Sequence, residues 1–241
     1  MAAALRLLVS ALMAVSLAAA SARPACAGPG GAVTLTSDYV LRGISQSDNN
    51  PVLQGDVHWN FPAGWSAGLW GTEVRLGPRI ASSELGAYLQ WQRAISGDFD
   101  LGVAFTHYAY ANDPRPVRYD YDELAVSLAW RDQLYLEAAW TPRLNLYSPS
   151  EGLASNREIY SVEASWHRTL LPRFDLSVGF GYYDPQGLDH ASYAYGNATL
   201  GWHYGHWRAT LSEIWVQDAL HRQYSPGPAG GPLTATVAWF F

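Results

Sequence analysis

The chain has no lysine, one cysteine and, beyond its first 27 residues, no apolar run of the length a membrane-crossing helix needs. Each absence narrows the reading. All 15 basic side chains are arginines, a compositional bias that carries no functional reading. A helix crossing a bilayer needs about 18 or more consecutive apolar residues, so a helical membrane protein is excluded. There is no phosphate-cradling glycine loop ahead of a helix, no C-x-x-C pair and no long internal repeat. The 21 acidic groups outnumber the basic ones, for a net charge of -6. That balance argues against a nucleic-acid binder, which needs a basic face.

The lone cysteine, Cys26, lies in a targeting segment. MAAALRLLVSALMAVSLAAASARPACA has Arg6 as its positive start, an apolar core from Leu7 to Ala20, and small residues at Ala25-Cys26-Ala27 that fit a cleavage site. Ala20-Ser21-Ala22 is the competing site. Arg23-Pro24-Ala25 lacks the apolar residue that a lipoprotein box around Cys26 would carry. We therefore expect residues 1–27 to be a removed signal peptide and 28–241 to be the exported domain. Cleavage after Ala27 removes Arg6 and Arg23, leaving 13 basic against 21 acidic groups, or -8. It also leaves no cysteine, so the exported chain folds without a disulfide in an oxidising compartment.

What the mature chain does have is alternation. Phe174, Leu176, Val178, Phe180 and Tyr182 take one face of RFDLSVGFGYYD, and Asp175, Ser177, Gly179, Gly181 and Tyr183 take the other. Period-2 patterning recurs in segments near 33–43, 51–61, 64–76, 82–95, 98–110, 119–130, 132–142, 157–168, 172–183, 192–204, 206–217 and 233–241. Short links (PAG, SGD, RD, TLLP, GH) alternate with long ones, among them ANDPRPVR, PRLNLYSPSEGLASN and DALHRQYSPGPAGGP. An even number of strands of about ten residues with this loop alternation predicts an all-β fold. The specific form is a transmembrane antiparallel up-and-down β-barrel of twelve strands.

In lipid every backbone N–H and C=O must be paired, so a sheet crosses only when it closes on itself. The 11 Trp and 15 Tyr suit the aromatic girdles of such a barrel. The last strand, LTATVAWFF, ends on Phe241 and resembles the terminal signal of bacterial outer-membrane barrels, which implies recognition by the barrel-assembly machinery. The expected location is the outer membrane of a Gram-negative cell, in contact with membrane lipid and lipopolysaccharide. Arg115 and Arg118 in the outer loop DPRPVR are placed to meet lipopolysaccharide phosphates.

The stretch SDYVLRGISQSDNNP, residues 37 to 51, puts Asp38 and Arg42 inside what reads as the end of the first strand. Read as one strand, AVTLTSDYVLRG turns both charges to the lumen, about 13 Å apart along the strand. GISQSDNN then forms the first outer loop and Pro51 opens the return strand. The residues Ser37, Asp38, Tyr39, Arg42, Gly43, Ser45, Gln46, Pro51 and Gln54, with GWSAGLWGTEV after them, resemble the start of the TorF family of proteobacterial outer-membrane proteins. The resemblance implies a barrel of porin type. It brings no solute and no binding site with it.

The strand phases nominate lumen-lining residues: Asp38, Arg42, Asp56, His58, Glu84, Gln90, Asp100, Tyr108, Glu123, Glu137, Glu163, His167, Asp175, Arg208 and Ser212. Carboxylates prevail, so the expected function is passive passage of small solutes with a mild preference for cations. The alternatives are a closed barrel whose charges pair and fill the lumen, a surface-binding barrel acting through its long loops, and a lipid hydrolase. The hydrolase is the weakest, because His107, His167 and Ser165 show no distinctive spacing. His203 and His206 across a GH turn are a poor metal pair. No enzyme, cofactor or metal is expected, and one of the long loops is expected to fold inward and narrow the passage.

Overall fold

The computed structural model describes residues 27–75, 81–111, 120–148, 152–185, 192–217 and 233–241. The chain runs through β1 (Gly28–Thr36), β2 (Val40–Leu41), β3 (Ile44–Ser45), β4 (Val52–Asn60), β5 (Trp65–Arg75), β6 (Ala81–Ala94), β7 (Phe99–Ala111) and β8 (Tyr121–Trp130). It continues through β9 (Leu134–Ser148), β10 (Gly152–Leu171), β11 (Phe174–Pro185), β12 (Tyr193–Tyr204), β13 (Trp207–Val216) and β14 (Leu233–Phe240). Among the described residues, β1 and β4 to β14 form one closed antiparallel barrel of twelve strands, and β2 and β3 form a separate small hairpin. No helix among them is long and apolar enough to cross a membrane.

Closure falls to β1. It pairs with β4 along its whole length, from Gly28 with Asn60 to Thr36 with Val52. It also pairs with β14, from Ala32 with Phe240 to Thr36 with Thr236. Phe241 completes the seam by exchanging backbone hydrogen bonds with Gly31, 3.1 Å in each direction. With both neighbours in place, no strand of the ring is left with an open edge.

The period-2 pattern sorts the side chains. Leu53, Leu69, Val103, Val126, Val162, Phe180 and Leu211 stand exposed on the outside, and Thr72, Glu84, Thr106, Asp175, Asn197 and Ser212 are buried inside. A soluble protein inverts this arrangement, so the outer belt calls for a hydrocarbon surround. Aromatics crowd the rim with tight turns: Trp59, Phe61, Trp65, Tyr204, Trp207 and Phe241 are all exposed there. Inside, Gly86 faces Trp70 across β5 and β6, and a Cβ on Gly86 would lie 1.8 Å from Trp70 Nε1. That missing methyl lets the Trp70 ring lie edge-on to Tyr108, which stacks on Tyr121 with centroids 4.4 Å apart.

Tight links at 61–64, 95–98, 131–133, 172–173 and 205–206 all fall on one end of the barrel, with both ends of the described chain. Arg131 and Asp132 have φ of 49° and 56°, and the Gln133 N–H donates to Trp130 O at 2.9 Å. This is the two-residue left-handed hairpin turn that matches strand twist. Arg131 also donates to Asp98 Oδ2 of the neighbouring turn at 3.0 Å. That hydrogen bond, with the guanidinium charge, holds the Asp98 carboxyl below its usual range.

Two sequence expectations are corrected. The first strand is not 33–43: it starts at Gly28 and stops at Thr36, after which the chain leaves the sheet. Asp38 and Arg42 therefore do not share a strand face. The segment 142–156, expected as a long loop, is largely strand, because β9 runs on to Ser148 and β10 begins at Gly152, with Tyr147 paired to Leu153. The ladder shifts register between Ala154 and Ile159, which absorbs the irregular sequence by bulging. The targeting segment 1–26, the DPRPVR stretch at 113–118 and residues 218–232 of the last long loop lie outside the described residues.

The outward belt yields a stability test. Val126→Arg, in the middle of β8, is expected to cost about 2–4 kcal/mol, and Phe61→Arg at the turn rim about 1 kcal/mol or less. Urea unfolding of vesicle-inserted protein measures both. Equal costs would contradict a lipid-facing belt.

Candidate functional site

The loop between β1 and β4, residues 37 to 51, folds into the barrel. Asp38 organises it. Its Oδ1 accepts from Ser45 Oγ at 2.6 Å and from Ser47 Oγ at 2.7 Å. Ser47 Oγ in turn accepts the Tyr39 N–H at 2.9 Å, and Ser45 Oγ accepts the Asn49 N–H at 3.0 Å. Thr36 Oγ1 donates to Asp38 O at 2.8 Å. One buried carboxylate thus holds both serines of the motif, and a charged acceptor makes each of those bonds stronger than a neutral one would.

Two turns give the loop its shape. Arg42 and Gly43, at φ of 50° and 78°, join β2 to β3, and Asp48 and Asn49, at 55° and 56°, make the second turn. In that second turn the Asn50 N–H donates to Ser47 O at 3.1 Å. Asp and Asn accept left-handed backbone readily, and Gly does so without strain. Arginine does so at some cost, here as at Arg131 and Arg173, whose φ are 49° and 78°. The Arg75 N–H at the end of β5 donates to Gln46 O at 2.7 Å and ties the loop to the near wall.

Consecutive side chains of the loop reach different walls. Tyr39 packs on Val52 and Val74 of β4 and β5, beside Leu41 and Tyr110. Val40 packs with Tyr193 and Tyr195 of β12 and Ile214 of β13. A Cβ on Gly43 would lie 2.6 Å from Val216 Cγ2 and 2.9 Å from Tyr195 Cβ, so backbone meets wall there. Arg42 NH2 donates to Glu123 Oε2 of β8 at 2.7 Å, with its Cζ 5.7 Å from the Tyr183 ring centre on β11. The loop is rooted at β1 and β4, whereas β8 and β11 flank the opposite side of the ring. The hairpin therefore spans the lumen.

Around its tip the far wall is acidic. Glu137 and Glu163 join Glu123 within electrostatic reach of Arg42. Tyr135 Oη donates to Glu137 Oε2 at 2.7 Å, and Tyr195 Oη donates to Glu163 Oε1. Glu84, fully buried on β6, lies beside Tyr39 and Tyr110. Nearer the tight-turn end, Asp175 of β11 accepts from Arg208 NH2 of β13 at 2.8 Å. His203 Nδ1 lies 3.5 Å from Asp175 Oδ1, and His167 Nδ1 lies 3.8 Å from Oδ2. On β4, Asp56 pairs with His58 Nδ1 at 2.7 Å and accepts from Tyr88 Oη at 2.9 Å.

The nominated residues thus fall into separate groups. Arg42, Glu123, Glu137 and Glu163 gather at the hairpin tip; His167, Asp175 and Arg208 gather below. Asp56 and His58 form a third group. Gln90 Nε2 donates to Ser66 Oγ at 2.8 Å, and Ser212 pairs with Thr199 at 2.8 Å. Asp100 stands in register with Ala94 and Ala129 near the tight turns. Tyr108 belongs to the aromatic stack, and Asp38 shapes the loop. His203 and His206 point apart, since His206 Nδ1 meets Phe240 O at 2.9 Å. Among the described residues no group of three or more His, Cys, Asp or Glu is placed to hold a metal.

The sequence reading missed the inward hairpin and its tyrosine supports. The signal was present: Arg42-Gly43 and Asp48-Asn49, six residues apart, are two turn dipeptides within this segment. The Asp175–Arg208 pair yields a test. Asp175→Ala strands a buried guanidinium and is expected to cost about 3–5 kcal/mol, with Asp175→Ala/Arg208→Met recovering most of it. Urea unfolding of the two variants measures this.

Residues 25–217 match the profile of a family described as "Bacterial protein of unknown function (Gcw_chp)". No curated protein matches the chain. Solved structures with the same architecture include the KdgM porin, at 9% identity and TM-score 0.53 over 88% of this chain and 98% of that one. They include the same porin in complex with disordered oligogalacturonate, at 9% identity and TM-score 0.51 over 89% and 98%. The NanC porin is similar at 8% identity and TM-score 0.54, over 87% and 97%. At these identities the likeness is one of fold.

Proposed function

We propose that this chain, which belongs to the Gcw_chp family of bacterial proteins, is an outer-membrane porin of the TorF type. It passes small solutes passively, with a preference for cations. One observation carries the reading: a closed barrel, apolar outside, encloses Asp56, Glu84, Glu123, Glu137, Glu163 and Asp175 against Arg42 and Arg208. Acid-weighted walls attract cations and repel anions in a narrow lumen. Gln90, Asp100 and His58 complete the proposed lining. The porin structures of the same fold, one in complex with oligogalacturonate, support passage of small solutes through such a barrel.

The rest of the assignment follows from that placement. Residues 1–27 act as a cleaved signal, Phe241 engages the barrel-assembly machinery, and the outer rim meets lipid and lipopolysaccharide. The proposed role is transport without chemistry. A closed barrel is favoured by a different observation, the hairpin that spans the lumen and is anchored to both walls.

Conductance of the refolded mature protein in planar bilayers under a salt gradient separates the two. Stable steps with a reversal potential on the cation side are expected. Silence from protein shown to be folded by heat-modifiable gel mobility would sink the porin reading and favour a closed barrel.

A further inference from the structure

The carboxylates of the far wall do not face an open lumen; they face a cation that the chain itself brings. The β2–β3 hairpin rises from β1 and β4 and ends at Arg42, whose guanidinium meets Glu123 on β8 and the Tyr183 ring on β11. The Arg42 and Glu123 side chains are 11% and 8% exposed, so neither is a freely solvated surface charge. Glu163 and Glu137 act on the same guanidinium from β10 and β9.

The turn takes an arginine at some cost, as the turns at Arg131 and Arg173 also do. Left-handed backbone at the first turn position suits Asn, Asp or Gly, and an arginine there costs on the order of 1 kcal/mol. Gly43 beside it has no room for a side chain, because Val216 and Tyr195 close on it. The backbone is thus pinned against the wall and only the Arg42 side chain projects from the tip. A hairpin held for packing alone would need no charge at that point, since Tyr39 and Val40 already anchor the loop to both walls.

We propose that Arg42 is the specificity-determining residue of the passage, a cation tethered on the inward hairpin that offsets the acidic wall where the loop crosses the lumen. This rests on the porin reading and deepens it. Charge preference is then set at one level by the balance of position 42 against Glu123, Glu137 and Glu163. The solutes admitted are small cations that compete with the guanidinium for those carboxylates. Larger anions are refused by the same wall, and multivalent cations meet the Arg42 charge.

The test is the reversal potential of Arg42→Gln, Arg42→Lys, Glu123→Gln and the double variant Arg42→Gln/Glu123→Gln in planar bilayers under a potassium chloride gradient. Removing one unit charge about 5 Å from a permeant ion in a water-like medium changes its relative occupancy by about fourfold. Arg42→Gln is therefore expected to raise the potassium-over-chloride ratio by about sixteenfold, fourfold from each ion. Glu123→Gln is expected to lower it by a similar factor, and the double variant should return near the wild-type ratio. Arg42→Lys keeps the charge and should keep the ratio.

A merely structural pair behaves otherwise. Either single substitution would loosen the hairpin, so both would raise conductance and move selectivity in the same direction. That result, or conducting variants with unchanged ratios, overturns the role of Arg42 and leaves the porin reading standing. Folded protein that is silent as wild type and in every variant overturns both. A folded wild type that is silent while Arg42→Gln and Glu123→Gln conduct also overturns both, because the passage then exists only once the hairpin is loosened.

Discussion

Everything in this molecule depends on the need to pair every backbone N–H and C=O in a sheet surrounded by hydrocarbon. The two-sided pairing of β1, to β4 and to β14, meets that need and turns a meander into a ring. Once the ring is closed, each strand has one face toward lipid and one toward an enclosed space. Leu53 beside Gln54 and Val178 beside Ser177 are the local consequence. The same constraint confines irregular backbone to the ends, or to places where it is covered by protein. The first loop takes the second option: it is irregular, lies at the depth of the barrel, and is held entirely by internal bonds.

That loop explains how an enclosed polar space is organised. Charges inside a barrel are costly unless they find partners, and here the partners come from different strands and from the loop. Asp38 is spent on the backbone and hydroxyls of its own segment. Asp175 meets Arg208 and two histidines across β10 to β13. Glu137 and Glu163 rest on tyrosine hydroxyls, which satisfy a carboxylate without cancelling its charge. The lumen is therefore ordered and carries carboxyl groups along one side, with the guanidinium of Arg42 set against that side.

Much of the fold was legible in the residues. Period-2 patterning survives in nine strands to within a few residues because lipid on one face and polar space on the other impose strict alternation. It failed at β1 because Tyr39 and Leu41 continue the alternation of Val33 and Leu35 while packing inside a loop. Apolarity reports burial and does not say whether lipid or protein provides it. It failed at 142–156 because Pro142, Asn145 and Ser148 read as turn formers, whereas the β9–β10 ladder continues there and takes up the irregularity with bulges. The lumen residues of the strands followed from phase. The side chains they meet did not, because Arg42 and Glu123 are 81 residues apart in the chain.

The sequence by itself determined the class of the molecule: strands of membrane-crossing length, alternating loops and an acid-weighted inner face. Those are local properties, written in composition and period. Only the tertiary structure decided that the ring closes through β1, that residues 37 to 51 turn inward, and that Arg42 rather than a strand residue meets the acidic wall. The reason is physical. Ring closure and a loop crossing the lumen join positions far apart in the chain, and no short-range periodicity records which of several equally polar partners a buried charge will reach.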